Sequence, residues 1–406
     1  MINDEQYVSI NDIKAAAERL RCVVKCTPLE YNNTFSITCG CSVYLKLENL
    51  QRTGSFKVRG AYNAIQTMDA SKRARGVITA SAGNHAQGVA LGASAANTSS
   101  TVVMPETAPL PKIAATRGYG ANVILAGMVY DEAYQEALRL QQERGFSFVH
   151  AFDDPAIIAG QGTLGLEILQ QQPDIDAVVV PVGGGGLIAG VSVAVKAIAP
   201  HVKVYGVQAS EAPAVYLSRG AGKLTETSGA KTLADGIAVK KPGKITFRHI
   251  QKYVDDIFLV KDEDIAASVL LLMERSKIVA EGAGATGIAA LLHNYLPQHK
   301  KIAAVISGGN IDINFISRII ENGLTKSGRR IKLSTSLLDI PGELCKFIAT
   351  IAEQRANIIY IYNGRIGKHL PIGYTNVEMD VETHNTEHAE QVIEALRQTG
   401  YKVEAS

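Results

Sequence analysis

The stretch DAVVVPVGGGGLIAGVSVAVKAI, residues 176–198, decides the fold. After Asp176 its first half is β-branched and uncharged, which suits a strand covered on both faces. From Leu187 small and apolar residues continue without a break, as in a buried helix. Between the two stand Gly183, Gly184, Gly185 and Gly186. Without side chains, successive backbone N–H groups can converge on an anion, and the first turn of a helix adds partial positive charge. The unit therefore reads as strand, phosphate-binding turn and helix. A merely tight turn would not need four glycines, which carry a large unfolded-chain entropy. No Lys-Ser/Thr pair follows the glycines, so the turn is not a Walker loop. A membrane span is excluded, because Pro181 and the glycines would leave backbone groups unsatisfied in lipid.

The same alternation extends outward. Strands are expected at 77–80, 101–104, 122–126, 148–150, 203–208 and 302–307, with helices at 86–96, 108–116 and 130–143. Strand–helix alternation on this scale means an α/β architecture with parallel sheets. Beyond a short basic stretch at 325–330 the texture changes. The order becomes strand 330–338, helix 342–354, strands 357–363 and 374–381, helix 386–399 and strand 401–403. That βαββαβ order is a compact ferredoxin-like unit.

Composition removes other classes. Lys plus Arg is 41 and Asp plus Glu 39, a net charge of +2, so there is no basic surplus for a nucleic-acid partner. Hydrophobic residues at 46 % and charged residues at 20 % exclude wholesale disorder. Glycine is in surplus, 37 of 406 residues, against a usual level of about 7 %. The start, MINDEQYVSINDIK, has no apolar core, so no signal peptide is expected. Cys22, Cys26, Cys39, Cys41 and Cys345 are odd in number and match no common zinc spacing. Reduced thiols, no metal site, no membrane and a cytoplasmic address are expected.

Four further segments carry candidate chemistry. In Ser55-Phe56-Lys57-Val58-Arg59-Gly60 the lysine sits between apolar neighbours. Partial desolvation lowers an ammonium pKa and frees the amine for Schiff-base chemistry. Ser81-Ala82-Gly83-Asn84-His85 caps a helix, and its N–H groups could hold a carboxylate. Ser307-Gly308-Gly309-Asn310 ends the strand 302–307, where ligands sit in open α/β sheets. Gly282-Ala283-Gly284-Ala285-Thr286-Gly287 matches a dinucleotide fingerprint literally, but the strand before it is poor and no acidic residue follows at the right distance. It is read as close helix packing.

Taken together, SFKVRGA at 55–61, SAGNHAQGVA at 81–90, GGGGL at 183–187 and SGGN at 307–310 resemble the fold-type II pyridoxal-phosphate enzymes. Within them the chain resembles the threonine/serine dehydratases (ammonia-lyases) over about residues 5–325. The tail, with PGEL at 341–344, resembles an ACT regulatory domain, giving the single-ACT architecture of the catabolic type. The resemblance implies two open twisted parallel-sheet domains plus the ferredoxin-like module. Residues 1–325 would form the catalytic region, with a small domain at roughly 50–150 inserted in the large one. Residues 326–330 would be a linker and 331–406 the ACT-like domain.

The resemblance also implies roles. Lys57 would carry pyridoxal 5′-phosphate and act as the base at Cα, with Phe56 beside the ring. Gly183, Gly184, Gly185, Gly186 and Leu187 would hold the phosphate. Asn84 would meet the ring hydroxyl and Ser307 the pyridine nitrogen. Ser81, Ala82, Gly83, Asn84 and His85 would grip the substrate carboxylate. The implied reaction is β-elimination from L-threonine to 2-oxobutanoate and ammonia, and from L-serine to pyruvate. An amino-acid or nucleotide effector and a homo-oligomer, dimer or tetramer, are expected from the tail. Racemase relatives carry a serine at the place of Ala82, and some members carry an acid at the place of Gln208 for a dication. Rival readings are a serine- or hydroxyaspartate-preferring dehydratase or racemase, a β-replacement enzyme of the cysteine-synthase type, and a non-catalytic amino-acid sensor.

Overall fold

The strand and helix of 176–198 form as the sequence predicts, and the first unit of the fold is built around them. In the computed structural model the chain divides into a unit Met1–Ile311 and a unit Asp312–Ser406. The structure is described for residues 7–366 and 370–405. The first six residues of the acidic start, residues 367–369 of the ACT-like segment and Ser406 lie outside the described residues.

In the first unit, a six-stranded sheet runs in the order Leu29–Tyr31, Ser42–Leu47, Lys301–Ile306, Ala177–Pro181, Lys203–Ala209, Asp256–Val260. Only the first pair is antiparallel. A second, all-parallel sheet orders Asn122–Leu125, Ser100–Met104, Val77–Ala80 and Ser147–Phe148. The central strands Ala177–Pro181 and Val77–Ala80 are buried along their whole length, which explains their unbroken apolar character.

Ser42–Leu47, unlike these, is not legible as a buried strand because it contains Lys46. That lysine is fully buried. Its Nζ donates to Thr27 O at 2.6 Å, Glu167 Oε2 at 2.6 Å and Gln171 Oε1 at 2.9 Å. Arg59, also fully buried, completes the set. It meets both carboxylate oxygens of Glu48 at 2.8 Å and those of Glu167 at 2.6 and 3.0 Å. Thr163 Oγ1 and Lys25 O accept its remaining hydrogens. Two cations and two carboxylates thus cancel inside the core, joining the helices Lys57–Thr67 and Pro155–Gln171 to the strand Ser42–Leu47. The two helices approach so closely that a Cβ on Gly160 would lie 2.6 Å from Arg59 O.

The second unit opens with the helix Ile313–Lys326, so the division falls after Ile311 where a boundary near 325 was expected. Its sheet is antiparallel throughout, in the order Asn357–Gly364, Tyr374–Glu382, Arg330–Leu338, Val403–Ala405. With the helices Glu343–Glu353 and Thr386–Gln398 it forms the βαββαβ unit, around a core that includes Leu333, Phe347, Met379, Val381 and Leu396. The last strand begins at Val403, two residues later than expected. Tyr401 instead turns its ring edge-on to Phe347, centroids 4.9 Å apart.

Breaking the buried ion set has a defined cost. Glu48→Gln leaves Arg59 short of one buried counter-charge, and the folded state should lose about 3 kcal/mol in urea unfolding. Burial alone would raise the Glu48 carboxyl, but the charge and hydrogen bonds of Arg59 hold it below the ordinary value of 4.5. Its stabilising contribution is therefore full above about pH 4.5 and is lost as the pH falls. The native protein should lose stability on acidification more steeply than Glu48→Gln, measured by unfolding across pH 6 to 3.

Candidate active site

A cavity of about 1010 Å³ opens in the first unit at the carboxyl ends of Val77–Ala80, Ala177–Pro181 and Lys301–Ile306. Phe56, Lys57, Ser81, Ala82, Gly83, Asn84, His85, Gly183, Gly184, Gly185, Gly186, Leu187 and Ser307 all line it. The residues to which the sequence assigned the cofactor and the substrate carboxylate therefore line one space, whereas Gln208, Gly308, Gly309 and Asn310 do not line it.

Lys57 is the first residue of its helix, and Phe56 is the N-cap. The segment is stitched to the loop after Ile306. Ser55 bridges Gly308, Phe56 N donates to Ser307 O at 3.1 Å and Gly309 N to Gly54 O at 2.9 Å. Lys57 Nζ donates to Ala151 O at 3.2 Å and lies 5.2 Å from the centroid of the Phe56 ring. Burial lowers the amine pKa to about 8, against the pull of Glu281. Ser307 presents a buried, neutral hydroxyl.

The loop 81–85 leads from Val77–Ala80 into the helix Asn84–Ala95, whose start has no side-chain cap. Gly83 N donates to Ser81 Oγ at 3.3 Å. Asn84 Oδ1 accepts from Asn310 Nδ2 at 2.8 Å, and Asn84 Nδ2 donates to both oxygens of Glu281 at 2.8 and 2.9 Å. His85 Nε2 donates to Val149 O at 3.0 Å, since a carbonyl can only accept. Burial and the neighbouring Lys57 hold His85 down to about 3, so the ring is neutral.

Glu281 escaped the sequence reading. It is 4 % exposed, and burial together with Asp235 pushes its carboxyl up to about 7. The available signal was a lone acid in the otherwise uncharged run 278–292, IVAEGAGATGIAALL. The glycine motif after it serves close packing, for a Cβ on Gly284 would lie 2.7 Å from Gly308 O. Gln208 is also buried. Its Oε1 accepts from Tyr216 N at 2.8 Å and its Nε2 donates to Val182 O at 3.2 Å. Among the described residues no group of three His, Cys, Asp or Glu could hold a metal.

Gly185 has φ +96°, a conformation that favours glycine, and it caps the helix Gly186–Ile198 without a side chain. That uncapped start, a lysine amine brought toward neutrality and a neutral hydroxyl share one cavity. The set fits an aldehyde cofactor that carries a phosphate. Residues 22–308 match the family described as pyridoxal-phosphate dependent enzyme. The chain belongs to that family.

This pyridoxal-phosphate enzyme is 51 % identical over 396 residues to the L-threonine ammonia-lyase of Thermotoga maritima, covering 98 % of this chain and 99 % of that one. Threonine deaminase isoform 2 of Solanum lycopersicum superposes with a TM-score of 0.74 at 41 % identity, over 77 % of this chain and 86 % of that one. Maize serine racemase does so with a TM-score of 0.74 at 32 % identity, over 79 % and 99 %. Among the described residues no helix is long and apolar enough to cross a membrane.

The Lys57 amine should react like a weak base. In the cofactor-free enzyme, acylation of Lys57 followed by peptide mass spectrometry should titrate near pH 8. Titration at the ordinary lysine value of 10.5 would show that the amine is solvated.

Proposed function

We propose that this enzyme is a threonine ammonia-lyase. It converts L-threonine to 2-oxobutanoate and ammonia by β-elimination, and L-serine to pyruvate. The observation that carries the reading is the Lys57 amine, lowered to about 8 and lining one cavity with Ser307 and two uncapped helix starts. The likeness along 98 % of the chain to an L-threonine ammonia-lyase favours threonine as substrate.

In this reading Gly183–Gly186 and Leu187 hold the cofactor phosphate, Ser307 faces the pyridine nitrogen and Asn84 the ring hydroxyl. Phe56 lies beside the ring, and Lys57 meets the aldehyde carbon. When bound, the cofactor supplies an electron sink for charge developing at the substrate Cα. The amides of Gly83, Asn84 and His85 at the start of their helix hold the substrate carboxylate, with Ser81 and Ala82 shaping the loop. Lys57, neutral once displaced, takes the Cα proton. The Cβ–O bond then breaks and the hydroxyl leaves as water, taking up one proton to match the one Lys57 removed from Cα, so that Lys57 ends the step neutral. The enamine product tautomerises and takes up water to give the oxo acid and ammonia. Ser307 offers a hydroxyl rather than a carboxylate, so it does not hold a proton on the ring nitrogen, and elimination is favoured over transamination. Ala82 presents only a methyl group to the substrate and cannot move a proton, which argues against racemisation.

The second unit supports an oligomer. Its edge strand Asn357–Gly364 exposes Ile359, Tyr360, Ile361 and Tyr362. Such an apolar edge pairs with another chain. A homodimer or tetramer joined there, with an amino-acid or nucleotide effector bound to the ACT-like module, is the quaternary reading. Its address is the cytoplasm.

Oxo-acid release should be seen with L-threonine and L-serine, and Lys57→Ala should abolish it, by at least about a thousand-fold. Appearance of D-allo-threonine from L-threonine, or of D-serine from L-serine, at a rate comparable to oxo-acid release would contradict the role given to Ala82. Truncation at about residue 326 should reduce the oligomer on size-exclusion chromatography and remove any response to effectors.

A further inference from the structure

The glycine loop needs an external hold. A glycine at φ +96° with no side chain on either neighbour can turn its peptide at little steric cost. An anion site built on backbone N–H groups works only if those groups are aimed before the anion arrives. The peptide between Gly184 and Gly185 is held from outside. Gly184 O accepts from Thr246 Oγ1 at 2.7 Å and from Gly243 N at 3.3 Å. Thr246 is fully buried. In a trans peptide the carbonyl and the following N–H point to opposite sides. Drawing the Gly184 carbonyl toward the helix Lys244–Tyr253 therefore turns the Gly185 N–H away from that helix.

Thr246 is itself fixed from a third segment. The N-cap of its helix is Gly243, which has no side chain to offer. Asp153 supplies the cap instead. Its carboxylate accepts from Lys244 N at 2.9 Å, Ile245 N at 2.8 Å and Thr246 N at 3.0 Å. Asp153 N donates in turn to His150 Nδ1 at 2.9 Å. The neighbouring Phe152 packs against the loop from this same segment, and a Cβ on Gly186 would lie 3.0 Å from its Cα.

We propose that Thr246, held by Asp153, is a positioning residue for the cofactor phosphate: it aims the Gly185 amide at the phosphate. The inference rests on the reading that Gly183–Gly186 receive the phosphate. The cofactor-free enzyme separates the two. It is titrated with pyridoxal 5′-phosphate and, in parallel, with pyridoxal, which has the aldehyde but no phosphate, and binding is followed by absorbance. Thr246→Val keeps the side-chain shape and removes the hydroxyl. It should weaken pyridoxal phosphate about ten-fold and leave pyridoxal unchanged. Thr246→Ser should restore the affinity, and Asp153→Asn should weaken pyridoxal phosphate in the same selective way. Thr246→Val binding pyridoxal phosphate within two-fold of the native protein would overturn the proposal. Equal losses for both aldehydes would overturn it too, since that is the mark of a general distortion. If the native protein binds pyridoxal phosphate no more tightly than pyridoxal, the phosphate reading of the glycine loop itself fails.

Discussion

Arg59 lies two residues beyond Lys57, and the site depends on what holds it. A guanidinium out of water is tolerable only when its charge is matched and its hydrogens are placed. Glu48 and Glu167 supply the charge, and Thr163 and Lys25 O take the remaining hydrogens. Glu167 also answers Lys46. The strand, the turn after it and two helices must therefore meet at one point. Once they do, the start of the helix carrying Lys57 has little freedom left. Its other side is tied to the loop of Ser307 by backbone bonds. The lysine and the hydroxyl are placed by separate parts of the chain, yet their relative position is set twice over.

Inside the cavity, burial moves two groups toward neutrality from opposite sides. It lowers Lys57 to about 8 and raises Glu281 to about 7. Their mutual attraction opposes both shifts. Near neutral pH each can therefore exchange a proton at modest cost. His85 is pushed the same way further and stays neutral, so it adds no charge beside Lys57. Asn84 is the joint between these groups. It is bound by Asn310 on one side and by Glu281 on the other.

Legibility followed burial chemistry. The strands Val77–Ala80 and Ala177–Pro181 are unbroken apolar runs, and they were readable for that reason. Ser42–Leu47 was not, because a buried lysine looks like a surface residue until its acceptors are known. Leu29–Tyr31 and Asp256–Val260 lie at the two edges of the sheet, carry exposed and charged positions, and gave no clear pattern. Glu281 was passed over for the same reason as Lys46. One charged letter in an apolar run has no local explanation when its partner, Asn84, is 197 positions away.

By itself the sequence determined the α/β class, the ferredoxin-like tail and the glycine, lysine and serine segments of the cavity. These are local matters: periodicity sets the elements, and glycine runs mark where backbone must do the binding. Tertiary structure alone decided which buried charges face each other. It brought Glu281 to Asn84, Arg59 to Glu48 and Glu167, and Thr246 to the Gly184 carbonyl. Apart from Arg59–Glu48, 11 positions apart, those pairings span long stretches of chain, and the cost of burying a polar group depends on partners that no single segment contains.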